Sequence, residues 1–294
     1  MTAERIRIAL QKSGRMAEDS MALLRKCGLH IDRSKDQLFC RAKEMPIDLM
    51  MIRDDDIPGF VSSGICDLGI VGENVFAEEK AAGETFAAQI LERLGFSFCR
   101  LSIAVPDGKA YESLANLQGQ TIATSYPALL QKALRDEGVE AKILLMTGSV
   151  EVAPRLKIAD AICDIVASGA TLASNGLHEA EVLIRSEALL IRGQGALSPE
   201  KEDIIKRLLR RMRGATQAED SKYIMLHAPR RQLDDIVGLL PGAESPTILP
   251  LQGGGDKVAV HAVCREAVFW ETMERLQEAG ASAILVLPIE KMMI

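Results

Sequence analysis

Short apolar runs alternate with stretches of helical period through the first two thirds of the chain, and that rhythm excludes most folds at once. Runs at 6–10, 38–41, 47–52 and 67–72 read as strands. Between them, Met16, Ser20, Leu23 and Leu24 recur at helical spacing before Gly28, and 57–63 forms a short helix before Gly64. Strands at 87–91 and 96–105 lead to the turn Pro106-Asp107-Gly108, where the pattern restarts. It continues with strands at 121–123, 141–146 and 161–166 and helices at 126–137 and 149–157. Strands that alternate with helices form a parallel sheet covered on both faces, so the expected class is α/β.

The two blocks echo each other. Gly64-Ile65-Cys66-Asp67-Leu68-Gly69-Ile70-Val71-Gly72 is a helix end, an acid, a buried strand and a glycine turn. Ala159-Asp160-Ala161-Ile162-Cys163-Asp164-Ile165-Val166, followed by Ser168-Gly169, repeats it. Two such lobes face a cleft, with ligands at the carboxyl ends of their strands. Residues 181–191 read as extended, and Ser198 caps a helix with Pro199 at its first position and an apolar stripe of Ile204, Ile205, Leu208, Leu209 and Met212. Residues 214–221 read as a polar connection and the best domain boundary. The tail then runs strand 222–227, helix 231–240 ended by Pro241-Gly242, strands 247–251 and 257–263, helix 269–279 and strand 283–287. That β-α-β-β-α-β order is the ferredoxin-like split unit.

Composition narrows the function classes. Hydrophobic residues make up 48% of the 294 and charged residues 26%, so disorder is not expected. A net charge of −6 speaks against wrapping nucleic acid. The six cysteines, at 27, 40, 66, 99, 163 and 264, show no CxxC spacing and read as buried free thiols. No signal peptide opens the chain and no run of about 18 apolar residues occurs, so neither export nor a membrane span is expected.

The sharpest chemical signal runs from Asp160 through Asp164 to Ser168-Gly169-Ala170-Thr171-Leu172. Backbone N–H groups with Ser168 and Thr171 would surround a phosphate. Asp164 would orient ribose hydroxyls, and Asp160, nearer the rim, would serve a metal-bound substrate. The same pattern also suits a purely structural strand-turn-helix with Ser or Thr as N-cap. Lys12, Arg15 and Arg53 stand after strands, where cations suit a polyphosphate and are equally ordinary solvated charge. Asp54, Asp55 and Asp56 suit either Mg²⁺ or a helix N-terminus. There is no Walker A lysine, and Gly253-Gly254-Gly255-Asp256 reads as a hairpin loop. Histidines 30, 178, 227 and 261 show no ligand spacing and no GxSxG elbow occurs, so nucleophilic hydrolysis is unsupported.

On these residues the chain resembles the long form of the ATP phosphoribosyltransferases along essentially its whole length. The resemblance is carried by Asp164-Ile165-Val166 leading into Ser168-Gly169-Ala170-Thr171-Leu172, with Gly148-Ser149-Val150-Glu151 upstream. Lys12-Ser13-Gly14-Arg15, Arg53-Asp54-Asp55-Asp56-Ile57-Pro58, the stretch from Asp67 to Asn74, Phe269-Trp270-Glu271-Thr272-Met273 and the run from Ile284 to Met292 add to it. It implies two catalytic lobes of the type II periplasmic-binding-protein kind and a C-terminal ferredoxin-like α+β domain. Lobe I would begin with 1–103, lobe II would span 104–182, 183–221 would return to lobe I and link, and 222–294 would be regulatory. It implies that N1 of ATP attacks C1 of phosphoribosyl pyrophosphate (PRPP), releasing pyrophosphate and N1-(5-phospho-β-D-ribosyl)-ATP in the first step of histidine biosynthesis. PRPP would meet Asp160, Asp164, Ser168, Gly169, Ala170, Thr171 and Leu172. ATP or pyrophosphate would meet Lys12, Arg15, Arg53, Asp67 and Glu151. Mg²⁺ would be held mainly by substrate phosphates, with Asp160 and Asp164 as acidic candidates. L-Histidine would inhibit through 222–294 and AMP in the active site. The protein would be cytoplasmic and form dimers and hexamers without a separate regulatory subunit, with no nucleic-acid or membrane partner. Paired α/β lobes are also the architecture of solute receptors, against which the missing export signal and output module weigh.

Overall fold

The computed structural model describes residues 4–31, 37–83, 86–219, 221–240, 246–252, 255–265 and 270–292. Pro241, Gly242, Gly253, Gly254 and Phe269, used above, lie outside them. The chain forms two compact units, Met1–Ala22 with Leu29–Ile205, and Leu23–Gly28 with Lys206–Ile294.

The first unit contains both lobes. In chain order lobe I is built from β1 (Ile6–Gln11), α1 (Arg15–Lys26), β2 (Phe39–Arg41), β3 (Ile47–Ile52), α2 (Ile57–Ser62), β4 (Leu68–Gly72), α3 (Glu73–Ala82) and β5 (Ala88–Arg93). β1 lies parallel between β3 and β4, with Ile8 opposite Leu49 on one side and Leu68 on the other. All five residues of β4 are buried, as a central strand covered on both faces requires. Gly69 belongs to that packing: a Cβ there would lie 2.7 Å from Ile57 Cγ2 and 2.9 Å from Val61 Cγ2, so α2 rests directly on the strand.

The chain then crosses to lobe II, made of β6 (Cys99–Pro106), β7 (Thr121–Thr124), α4 (Pro127–Asp136), β8 (Lys142–Leu145), β9 (Ala161–Val166), α5 (Ala170–Ser174) and β10 (Leu177–Ser186). It returns at Glu187 into β11 (Ala188–Gly193), which enters the first sheet antiparallel between β4 and β5. The sheet orders are β2-β3-β1-β4-β11-β5 and β10-β6-β9-β7-β8. This double crossing between two α/β lobes is the type II periplasmic-binding-protein arrangement expected from the sequence.

Two expectations fail. Residues 149–157 hold a 3-10 turn at Val150–Val152 followed by turns, not a helix. Ser149 is left-handed (φ +53°), and Pro154 has no N–H to continue a helical ladder. Residues 214–219 are not a polar connection, because they are the last turns of α6 (Pro199–Glu219). Its first turn is capped by Ser198 Oγ, which accepts the Lys201 N–H (3.3 Å), and its buried residues continue past Met212 to Ala215 and Ala218, while Leu209 is half-buried. Gly214 lies where a Cβ would stand 2.1 Å from the Met292 carbonyl oxygen.

The second unit carries β12 (Ser221–Pro229), α7 (Leu233–Gly238), β13 (Thr247–Pro250), β14 (Lys257–Arg265), α8 (Trp270–Glu278) and β15 (Ser282–Pro288). Their order, β13-β14-β12-β15 with every neighbour antiparallel, is that of the ferredoxin-like split unit. Ile224, Leu226, Val258, Val260, Ile236 and Leu276 form its core.

Five of the six cysteines are buried and Cys99 is half-buried, all free; burial pushes the Cys27 and Cys66 thiols up to about 11. Among the described residues no helix is long and apolar enough to cross a membrane.

Candidate active site

In each lobe three parallel strands end on the same side. In lobe I the ends of β1, β3 and β4 carry Lys12, Arg53 and Glu73. Lys12 N–H donates to the Ile52 carbonyl (2.8 Å), which holds the loop after β1 against the end of β3. Lys12, Arg15 and Arg53 are exposed. Asp54–Asp56 form a 3-10 turn after Arg53. Burial, then its acidic neighbours Asp54 and Asp56, push the Asp55 carboxyl up, opposed by Arg53.

In lobe II β7, β8 and β9 are parallel, and the loops after them carry Ser125, Glu151 and Ser168. Asp164 sits within β9, near its end. One oxygen accepts the Ile165 N–H (2.8 Å) and lies 3.5 Å from Ser125 Oγ. Burial pushes its carboxyl up, the Ile165 N–H opposes this, and the charge of Glu151 adds to the rise. Five residues after Asp164, Gly169 adopts φ +84°, a left-handed backbone that side chains disfavour, and so turns the chain into α5. Ser168, Ala170 and Thr171 are exposed there, while Leu172 is buried beneath. Ser168 Oγ lies 3.4 Å from the Ala170 N–H.

The two sets of strand ends meet at Tyr126. It follows β7 in lobe II, accepts a bond from Asn74 at the start of α3 in lobe I (2.7 Å), and packs against the cores of both lobes. Burial, with the charges of Asp164 from one lobe and Asp55 and Asp54 from the other, holds its phenol protonated. Asp164, Glu151, Ser125 and the Ser168–Thr171 turn thus stand opposite Arg53 and the aspartates beside it.

Two of the residues expected at the site are elsewhere. Asp160 precedes β9 and accepts the Thr121 N–H (2.9 Å), a strand's length of roughly 20 Å from the turn. Asp67 precedes β4 in the same way, accepting the Arg7 N–H (2.8 Å) and Lys201 Nζ (2.7 Å) in a buried setting. The sequence echo is real, but its acids join the starts of neighbouring strands and lie at the wrong end for a cleft. The sequence reading gave no role to Ser125, Tyr126 and Asn74. The signal was available, since Pro127 opens a helix straight after a strand, as the turn at Ser168 does.

Two α/β lobes whose strand ends oppose cations to a carboxylate and a glycine turn make a cleft of the kind that takes anionic ligands. Comparison with known proteins makes this particular. Residues 53–214 match the family ATP phosphoribosyltransferase (HisG) and residues 218–291 the HisG C-terminal domain. The ATP phosphoribosyltransferase of Maricaulis maris (strain MCS10) is 55% identical over 98% of this chain and 99% of its own length. The solved ATP phosphoribosyl transferase (HisG:HisZ) complex from Thermotoga maritima shares the fold, with a TM-score of 0.62 at 23% identity over 72% of this chain and 98% of that one. The chain belongs to the long-form ATP phosphoribosyltransferase family.

Among the described residues no three His, Cys, Asp or Glu side chains gather as a metal cage. The donors at the cleft fit a magnesium ion that keeps substrate oxygens and water as most of its ligands.

Proposed function

We propose that the chain transfers the phosphoribosyl group of PRPP to N1 of ATP, with PRPP against lobe II and ATP against lobe I. N1 forms a bond to ribose C1, the C1–oxygen bond to pyrophosphate breaks, and pyrophosphate leaves with that electron pair. N1 is nucleophilic without help, so the side chains orient the reactants and stabilise charge. Ser168, Thr171 and the backbone N–H groups of the turn hold the 5-phosphate. Asp164 holds the ribose hydroxyls, and Glu151 contacts ATP or pyrophosphate. Lys12, Arg15 and Arg53 take the polyphosphate. A bound Mg²⁺ would supply charge neutralisation on pyrophosphate, and Asp164 would be the carboxylate to hold its water.

The observation that carries this reading is the half-buried Asp164 ending in an exposed Gly169 turn, across from the cations of lobe I. Thr171→Val tests it. Loss of one charge-assisted bond lowers kcat/KM for PRPP by about 10- to 100-fold, with the value for ATP much less affected. An unchanged value for PRPP removes Thr171 from the site.

The regulatory reading is that L-histidine binds within 222–294 and lowers activity, that AMP competes in the cleft, and that dimers assemble into hexamers without a separate regulatory subunit. It is supported by the presence of a complete small domain with its own core and none of the cleft's residues. Two conformations with different affinity for histidine would suffice for the coupling.

A further inference from the structure

The lobes are tied by side chains that the reaction chemistry above leaves unused. Asn74 is 7% exposed, in the first turn of α3. Its backbone N–H donates to Ser186 Oγ (3.1 Å), and the Ser186 hydroxyl donates to Asn74 Oδ1 (2.8 Å). The amide is thereby fixed with Nδ2 toward lobe II, where it donates to Tyr126 Oη (2.7 Å). One turn further along α3, Glu78 reaches the start of α4 and accepts the N–H groups of Ala128 (2.6 Å) and Leu129 (2.8 Å). First-turn N–H groups have no partner within their own helix, and a carboxylate suits the positive end of its dipole. Gly72 leaves room for the arrangement, since a Cβ there would lie 2.3 Å from Asn74 Oδ1.

We propose that Asn74 and Glu78 are positioning residues for the transfer. They hold lobe II against lobe I so that the Asp164 side of the cleft meets the Arg53 side at a fixed separation. This rests on the reading that each lobe binds one substrate. Attack of one bound reactant on another is steep in distance, and a misplacement of about 1 Å costs on the order of 100-fold. Because Asn74 is the donor, the phenol of Tyr126 keeps its own proton for an acceptor in the cleft.

Three variants with small changes in shape test this. Asn74→Leu keeps the branched shape and removes the donor to Tyr126, with no acceptor left for the phenol. Tyr126→Phe keeps the ring between both cores and removes the acceptor. Glu78→Gln keeps the length and replaces one acceptor oxygen by an NH₂ group. Each lowers kcat about 10-fold while KM and calorimetric affinity for ATP and for PRPP stay within about twofold. The Asn74→Leu/Tyr126→Phe double variant is no slower than the worse single, because both cut the same bond. Amide exchange at Ala128 and Leu129, slow in the parent enzyme, quickens in Glu78→Gln. Unchanged kcat in all three variants overturns the proposal. So does a fall in kcat matched by an equal fall in PRPP affinity, which would make these residues part of the binding site. A parent enzyme that does not turn over ATP and PRPP refutes the functional reading instead.

Discussion

Arg100 holds the Ser168–Thr171 turn from behind. It lies on β6, forms a two-bond fork with Glu179 on β10, and donates through Nη1 to the Ala167 carbonyl (2.9 Å), where the turn begins. Ser102 Oγ donates to the same carboxylate (2.7 Å). A lysine has no second arm for Ala167, so Arg100→Lys is expected to raise KM for PRPP several-fold, roughly 3- to 10-fold, and leave that for ATP nearly unchanged. Equal KM values in steady-state assays would separate the fork from the turn. The Arg100 bond holds the Glu179 carboxyl below its ordinary 4.5. A depressed carboxylate contributes stability that is fully present above 4.5 and is lost as pH falls through the lower folded value. Melting curves across that window should flatten in Glu179→Gln. Single residues were unevenly legible. The strand end at Asp164 and the turn at Gly169 were readable as local structure, because a small-residue turn directly after an apolar strand marks the strand's end. Asp160 and Asp67 were misread because an acid before a strand and an acid near its end look alike in a motif, although strand direction separates them. Asn74 and Tyr126 look like ordinary helix openings until the partner lobe is present.

Among the elements, β4 is the most constrained. Gly69→Ala would drive a methyl into Ile57 and Val61, and a destabilisation of about 1–3 kcal/mol is expected, read as a lower urea midpoint at unchanged slope. Mainly apolar strands were also the most legible: 47–52 and 161–166 were bounded correctly because each is an apolar run broken by a single aspartate, Asp48 or Asp164. α3 was missed for the opposite reason. Only Asn74, Val75 and Phe76 of its ten residues are buried, so no stripe repeats along it. Residues 181–191 read as extended without revealing that Glu187 divides strands of two different sheets. The break expected at Gly214 is a helix interior, where glycine serves close passage of the chain at Met292.

For the whole molecule, regulation is the sharpest expectation. A chain ending at 221 should lose calorimetric histidine binding while AMP still competes with substrate at the cleft. Full-length affinity for histidine in that chain would place the effector outside the small domain. Activity alone would not discriminate, because the core around Ile224 and Val260 is removed with it. The double crossing also orders the protein's birth. Lobe II is one unbroken stretch from Cys99 to Ser186, whereas the sheet of lobe I lacks the strand between β4 and β5 until Ala188–Gly193 has been made. At a ribosome's pace of roughly 5–20 residues per second, the interval from Arg93 to Ala188 lasts on the order of ten seconds. Through that time β4, apolar at nearly every position, lacks its later neighbour, the kind of open edge that chaperones and neighbouring nascent chains seize. The lobe begun first is the lobe finished last.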